Sequence, residues 1–260
     1  MISLYGFEFS WNRFLGYSVL KDPMELIGLV IILVILAIVT VIIPKLFKTY
    51  KDLRDSATFA WLLTFIFLEA AIIFLIFEKV SYSTLGLIDL GDIMAIIAFS
   101  CVSVAIVSIN YFTFNMTYPD HKKILTMIVL ILTIIHNIVL IFAILSGPPY
   151  ADVINYELVY DISINRIVYP ILLSIILIPP IIFFYFSSKS REENRPNSIR
   201  ALWMGIGIIC FDIGYLTEVA PIFPTELSIP LRILFAVAAL IMYVCFSMPD
   251  WFKKKIGWID

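Results

Sequence analysis

Charge is scarce in this chain. Only 15% of its 260 residues are Asp, Glu, Lys or Arg, against 62% apolar residues, and the mean hydropathy is +1.01. A soluble domain runs about 45–50% apolar and about 25% charged. A soluble domain of this size has no room to hide the difference, so lipid must be part of the solvent. That excludes a soluble enzyme, a nucleic-acid-binding domain and a disordered chain. The net charge of -2 offers no basic footprint for nucleic acid either.

Other absences narrow the chemistry. The three cysteines, Cys101, Cys210 and Cys245, fall inside apolar runs and make no disulfide framework. His121 and His136 are the only histidines, too few for a multi-histidine zinc site. His121 stands at the edge of an apolar run and His136 in the middle of one, so a single haem does not bridge them. No metal or cofactor is expected. The last apolar run has no lysine for a retinal Schiff base. Gly205-Ile206-Gly207 is not followed by Asp, so the GxGD protease motif is missing, and no glycine-rich phosphate loop exists. No nucleophile–base constellation is visible, and the expectation is a protein that is not an enzyme. The first 25 residues lack a signal-peptide pattern, and no lipidation motif is present.

What the chain has is length in its apolar runs. A helix crosses the hydrocarbon core with about 20 apolar residues. Seven stretches qualify: 25–47, 57–78, 92–115, 124–146, 167–187, 200–221 and 229–248. Strand-period alternation is absent. The fold expected is therefore all-α, a polytopic seven-transmembrane helix bundle over 25–248. Residues 1–24 form an interfacial segment before it, and 249–260 a tail after it. Ser56, Asp120, Ser198 and Ser228 are placed to cap spans two, four, six and seven. Pro179-Pro180 should kink span five toward its inner half. Trp251, Phe252 and Trp258, with Lys253–Lys255 between them, read as an interfacial anchor.

Lysine and arginine set the orientation. Thirteen of them fall in one set of loops: Lys45, Lys48, Lys51, Arg54, Lys122, Lys123, Lys189, Arg191, Arg195, Arg200 and Lys253–Lys255. The other set holds Arg13, Lys21, Lys79, Arg166 and Arg232. The richer set should face the cytoplasm, with the N-terminus outside and the C-terminus inside.

Ionisable groups inside a span are costly and mark sites of function or of critical packing. Glu69, His136 and Asp212 each stand twelve positions beyond the inner end of an even-numbered span, about 18 Å deep at 1.5 Å per residue. An acid, an imidazole and an acid are thus expected in one layer near the midplane. Asn137 extends it beside His136, Tyr215 and Glu218 step outward from Asp212, and Asn110 adds an amide on span three. Ala98, Cys101, Ala105 and Ser108 give span three a small-residue face that lets neighbours approach closely. Such a layer suits a proton relay, a protonation-sensitive switch or a pocket for a polar ligand. The alternative is a hydrogen-bond network that only fixes helix register.

Two further segments carry a resemblance. Ile229-Pro230-Leu231-Arg232-Ile233 opens the last span and Pro249-Asp250-Trp251-Phe252-Lys253-Lys254-Lys255 closes it. With the seven-span layout, they resemble the seven-transmembrane sensor region of prokaryotic histidine kinases and related archaeal seven-helix membrane proteins. G-protein-coupled receptor signatures are missing: span three ends Asn115-Met116-Thr117-Tyr118-Pro119, and span seven lacks Asn-Pro-x-x-Tyr. The resemblance implies a sensory or receptor-like module of a prokaryotic cell membrane. The chain stops where a kinase domain would begin, so the signal would pass through the basic inner loops to a separate cytoplasmic partner. The alternatives are a proton-coupled transporter or channel and a structural or accessory subunit.

Overall fold

Hydrocarbon offers the backbone no hydrogen-bond partner, so a chain in lipid satisfies its own amides within helices. The computed structural model describes residues 3–4, 7–8, 23–82, 87–154, 157–219 and 230–258, and they are overwhelmingly helical. In chain order the helices are α1 Pro23–Leu53, α2 Ser56–Val80, α3 Ile88–Thr117, α4 Lys122–Ser146, α5 Ile162–Ile176, α6 Ile178–Lys189, α7 Arg195–Val219, α8 Ile233–Ser247 and α9 Asp250–Ile256. Two small antiparallel hairpins depart from the all-α expectation. β1 Ser3–Leu4 pairs with β2 Phe7–Glu8, and β3 Ala151–Ile154 pairs with β4 Glu157–Tyr160 in the register Ala151↔Tyr160. The second hairpin fills the connection between spans four and five.

Among the described residues, six segments are long and apolar enough to cross a membrane: 26–53, 56–80, 88–117, 122–146, 162–189 and 195–216. The count reaches seven if α8 and α9, bent by 83°, make one span. The bend has a local cause. Pro249 disfavours the right-handed helical region for the residue before it, and Met248 sits left-handed at φ 48°. α8 alone, with 15 residues, is about 22 Å long, short of the hydrocarbon core.

The expected caps move. Asp55, not Ser56, caps α2: its carboxylate accepts from the Thr58 amide at 2.8 Å and from the Thr58 hydroxyl. Burial pushes the Asp55 carboxyl up, but these donors outweigh it and hold the group below its usual range. Asp120 lies in the turn before α4, whose first flanking residue is His121, with no side-chain cap. Asn194 Oδ1 accepts from the Asn197 amide at the start of α7, which leaves Ser198 inside the helix. Ser198 instead donates to the Ser187 carbonyl at 2.7 Å, tying α7 to α6. Ser228, residues 1–22 apart from the two short strands, and the Glu218 side chain lie outside the described residues, and α1 takes in the last two residues of the segment expected over 1–24.

α3 is the central helix. Its buried positions include Ala95, Ala98, Val102, Ala105, Ile109 and Thr113, and it touches α2, α4, α5 and α6. The small side chains admit α2 along most of its length. Trp61 is fully buried among Phe65, Phe112 and Phe246, with ring centroids 4.6–5.8 Å away, so one indole joins α2, α3 and α8. α7 fits between α6 and α8. A Cβ on Gly205 would come 2.7 Å from the Phe184 ring, and one on Gly207 3.0 Å from Ile241 and Met242.

Several of the basic residues also make local contacts. Arg200 Nε donates to the Cys245 carbonyl at 2.7 Å, placing a cation at the carbonyl end of α8. Lys45 lies 5.2 Å over the Tyr243 ring, and Lys122 5.9 Å over Tyr111. α9 turns Phe252 and Ile256 into the bundle and leaves Trp251 and Trp258 exposed. At the opposite end, the Tyr82 hydroxyl donates to Asp92 Oδ1 at 2.7 Å. Burial first, then this carboxylate, raises the Tyr82 phenol above its ordinary range.

Candidate functional site

The proline pair of span five has a defined consequence. In an α-helix the N–H of residue i donates to the carbonyl of residue i−4. Pro179 has none, so the Ile175 carbonyl loses its helical donor. Pro180 does the same to the Ile176 carbonyl, and Pro179 also removes its i+3 donor. The helix breaks there: α5 ends at Ile176, Leu177 lies between, and α6 starts with prolines in its first turn. The expected kink is thus a break at Leu177, directly before the helix that carries the two prolines.

A side chain from the central helix repairs half of the damage. Asn110 on α3 is fully buried, and its Nδ2 donates to the Ile175 carbonyl at 3.1 Å and to its own helix at the Ile106 carbonyl at 2.9 Å. Both amide hydrogens are spent. Asn110 Oδ1 remains an acceptor, and no donor reaches it among the described residues.

Beside this break lies a small cavity. Thr64 and Leu68 of α2, Ala105 and Asn110 of α3, Ile176 and Pro179 of α5 and α6, Ile208, Phe211 and Asp212 of α7, and Met242 of α8 reach its wall. About 10 Å³ is open to the centre of a water-sized occupant, room for about one such particle. The wall is mostly hydrocarbon; its polar side chains are Thr64, Asn110 and Asp212. Asp212 is 4% exposed, and its Oδ2 has no hydrogen-bond partner among the described residues. Thr64 spends its hydroxyl hydrogen on the Ala60 carbonyl at 3.0 Å. Asp212 and Asn110 therefore share a site, and Thr64 joins them.

The remaining expected residues lie elsewhere. Tyr215, one turn along α7 from Asp212, is buried with its ring stacked on Phe211, 6.2 Å between centroids. His136 lies on the packed face of α4 with Val129, Thr133 and Leu140 and is 1% exposed. Neither of its ring nitrogens has a partner among the described residues, and no α4 residue lines the cavity. Asn137 accepts from the Ser103 hydroxyl at 2.8 Å, across α4 and α3. Glu69 is absent from the cavity wall and turns toward α1, where Thr40 meets its Oε1 at 2.5 Å. Thr40 is exposed and also bonds the Leu36 carbonyl at 2.8 Å.

Similar depth thus does not make one site: the polar layer divides into an α1–α2 pair, an α3–α4 group and the cavity at the break. No family model, curated protein or solved structure matches the chain. The geometry of the break and its cavity therefore carries the functional reading. Thr64 was missed in the sequence, although a threonine five residues before a mid-span acid is visible there. The Asn110–Ile175 bond had a signal too, because a proline inside a buried helix leaves a carbonyl that some neighbouring donor must meet.

Proposed function

We propose that this chain is a sensory or receptor-like membrane module of seven spans, N-terminus outside and C-terminus inside. In this reading, occupancy of the central cavity sets the angle at the break in span five. α6 carries the change to the basic inner rim, where a separate cytoplasmic partner reads it. The observation that carries the reading is the clamp of Asn110 on the carbonyl that Pro179 leaves free, beside a buried acid whose Oδ2 has no partner among the described residues. A buried polar group left unsatisfied costs about 1–3 kcal/mol, which is hard to account for by packing alone. Its position at a broken helix links protonation or ligand contact to a mechanical element. The resemblance of the layout and of the last span's two ends to the sensor regions of histidine kinases agrees with this reading. The separation of Glu69, His136 and Asp212 favours a local switch over a relay through all three, and so over a proton-coupled transporter.

Spin labels test the reading. Ile124, 66% exposed on α4, and Tyr185, 57% exposed on α6, offer two inner-half positions. With the three native cysteines replaced, Asp212→Asn is expected to shift the distance distribution between labels at 124 and 185 in lipid nanodiscs. Superimposable distributions overturn the sensory reading and favour a structural or accessory subunit.

A further inference from the structure

Glu69 is the mid-span acid that the cavity does not use. On α2 it stands about 20 Å from the inner end and about 16 Å from the outer one. It is half-buried, on the face of α2 that also exposes Ile66 and Ile73. Thr40 of α1, which meets its Oε1, is exposed, and so is Ala37 one turn away. The carboxyl thus reaches the lipid side of the groove between α1 and α2. Its Oε2 has no hydrogen-bond or ion-pair partner among the described residues.

Acids inside spans nearly always face the bundle interior or pair with one another. One at the lipid face with an open oxygen calls for a partner from outside its own chain. A cation on a neighbouring copy does not fit. Lys45, the next basic residue along α1, lies about 8 Å toward the inner end, and its Nζ sits over the Tyr243 ring. His136 and Asp212, the other ionisable groups at this depth, are buried in the bundle.

What fits Glu69 is a second Glu69. In hydrocarbon a carboxylic acid is its own complement. Its O–H donates to the partner's C=O and its C=O accepts from the partner's O–H, so both groups are satisfied. Two copies inserted in the same direction are related by a two-fold axis along the membrane normal. Such an axis brings equal depths together and makes the contact self-complementary. Ala37 and Thr40 are small, which lets a neighbouring helix approach closely enough for the carboxyls to meet.

We infer that the chain pairs with a second copy of itself in the membrane through the α1–α2 face, with Glu69 against Glu69 at the two-fold axis. This interface goes beyond the sensory reading and does not depend on it.

Förster transfer between donor- and acceptor-labelled chains in lipid vesicles, with the protein-to-lipid ratio varied, tests the pairing. Wild type is expected to show transfer that rises saturably above the level of random crowding. Glu69→Leu should need about tenfold more protein per lipid for half association, the loss of one interhelical bond on the scale of model peptides. Glu69→Gln, whose amide is also both donor and acceptor, should stay close to wild type. In a background without the native cysteines, Ile73→Cys, beside Glu69, should cross-link between copies on oxidation. Ile138→Cys, at a position 60% exposed on α4, should not. Transfer no greater than random crowding overturns the inference and leaves the acid to lipid or to another protein. Association of Glu69→Leu equal to wild type, a loss in Glu69→Gln as large as in Glu69→Leu, or cross-linking at 138 in place of 73 also overturns it.

Discussion

Asn110→Ala is expected to lower the stability of the bundle by about 3 kcal/mol, more than an ordinary interhelical hydrogen bond would suggest. Such bonds between transmembrane helices average only about 0.6 kcal/mol, because the separated helices find other partners. The Ile175 carbonyl is different. Pro179 has removed the N–H that would otherwise take it, and Asn110 Nδ2 at 3.1 Å is the donor that stands in. Without Asn110 a buried carbonyl is left unpaired, at about 1–3 kcal/mol, and truncation of a fully buried side chain adds a void. Reversible unfolding in mixed micelles measures the loss. A cost below about 1 kcal/mol would show that the break is held by packing instead.

Asp212→Val has the opposite expected sign. Valine should raise stability by about 2 kcal/mol, or roughly 5 °C in unfolding midpoint at this chain length. The gain comes from removing an uncompensated cost. Asp212 is 4% exposed with an oxygen that meets no donor among the described residues, and replacing a poorly satisfied buried polar group by an apolar one of similar size is neutral to stabilising. Stability given up at a site is what a functional acid predicts. A structural hydrogen-bond network predicts a loss. A midpoint below wild type would return Asp212 to a structural role.

Much of the architecture was legible in the residues. Apolar runs placed the helices within a few residues, because a span's length is dictated by the thickness of hydrocarbon. The ends were less legible. α1 continues through Lys45, Lys48 and Lys51 to Leu53, since a helix does not stop where hydropathy does and long basic side chains reach the interface from its last turns. Two of the misplaced caps were off by one and four positions, because Asp55 and Asn194 outcompete the serines that follow them for the free amides. The last span stayed undecided, since Met248 and Pro249 turn the chain before hydropathy ends.

The site was legible in composition and not in geometry. Glu69, His136 and Asp212 do stand at similar distances along their helices, but depth says nothing about the direction in which a side chain points. Helical phase decides that. Ile66 and Ile73, three and four residues either side of Glu69, are exposed at 38% and 37%, so that face of α2 looks outward to α1 and lipid. The face of α7 that carries Ile208, Phe211 and Tyr215 is buried, and Asp212 goes with it. The pairing of Asn110 with span five needed two facts together, the proline's missing N–H and a donor on the helix that crosses it.

The central claim is that Asn110 replaces the hydrogen bond Pro179 removes, and a double-mutant cycle between them tests it most directly. Pro179→Ala restores the N–H of residue 179, which then reaches the Ile175 carbonyl within its own helix. Asn110→Ala should therefore cost about 3 kcal/mol in the wild-type background and only about 1 in Pro179→Ala, a coupling of roughly 2 kcal/mol. Equal costs in the two backgrounds would contradict the account, since the amide and the proline would then act independently.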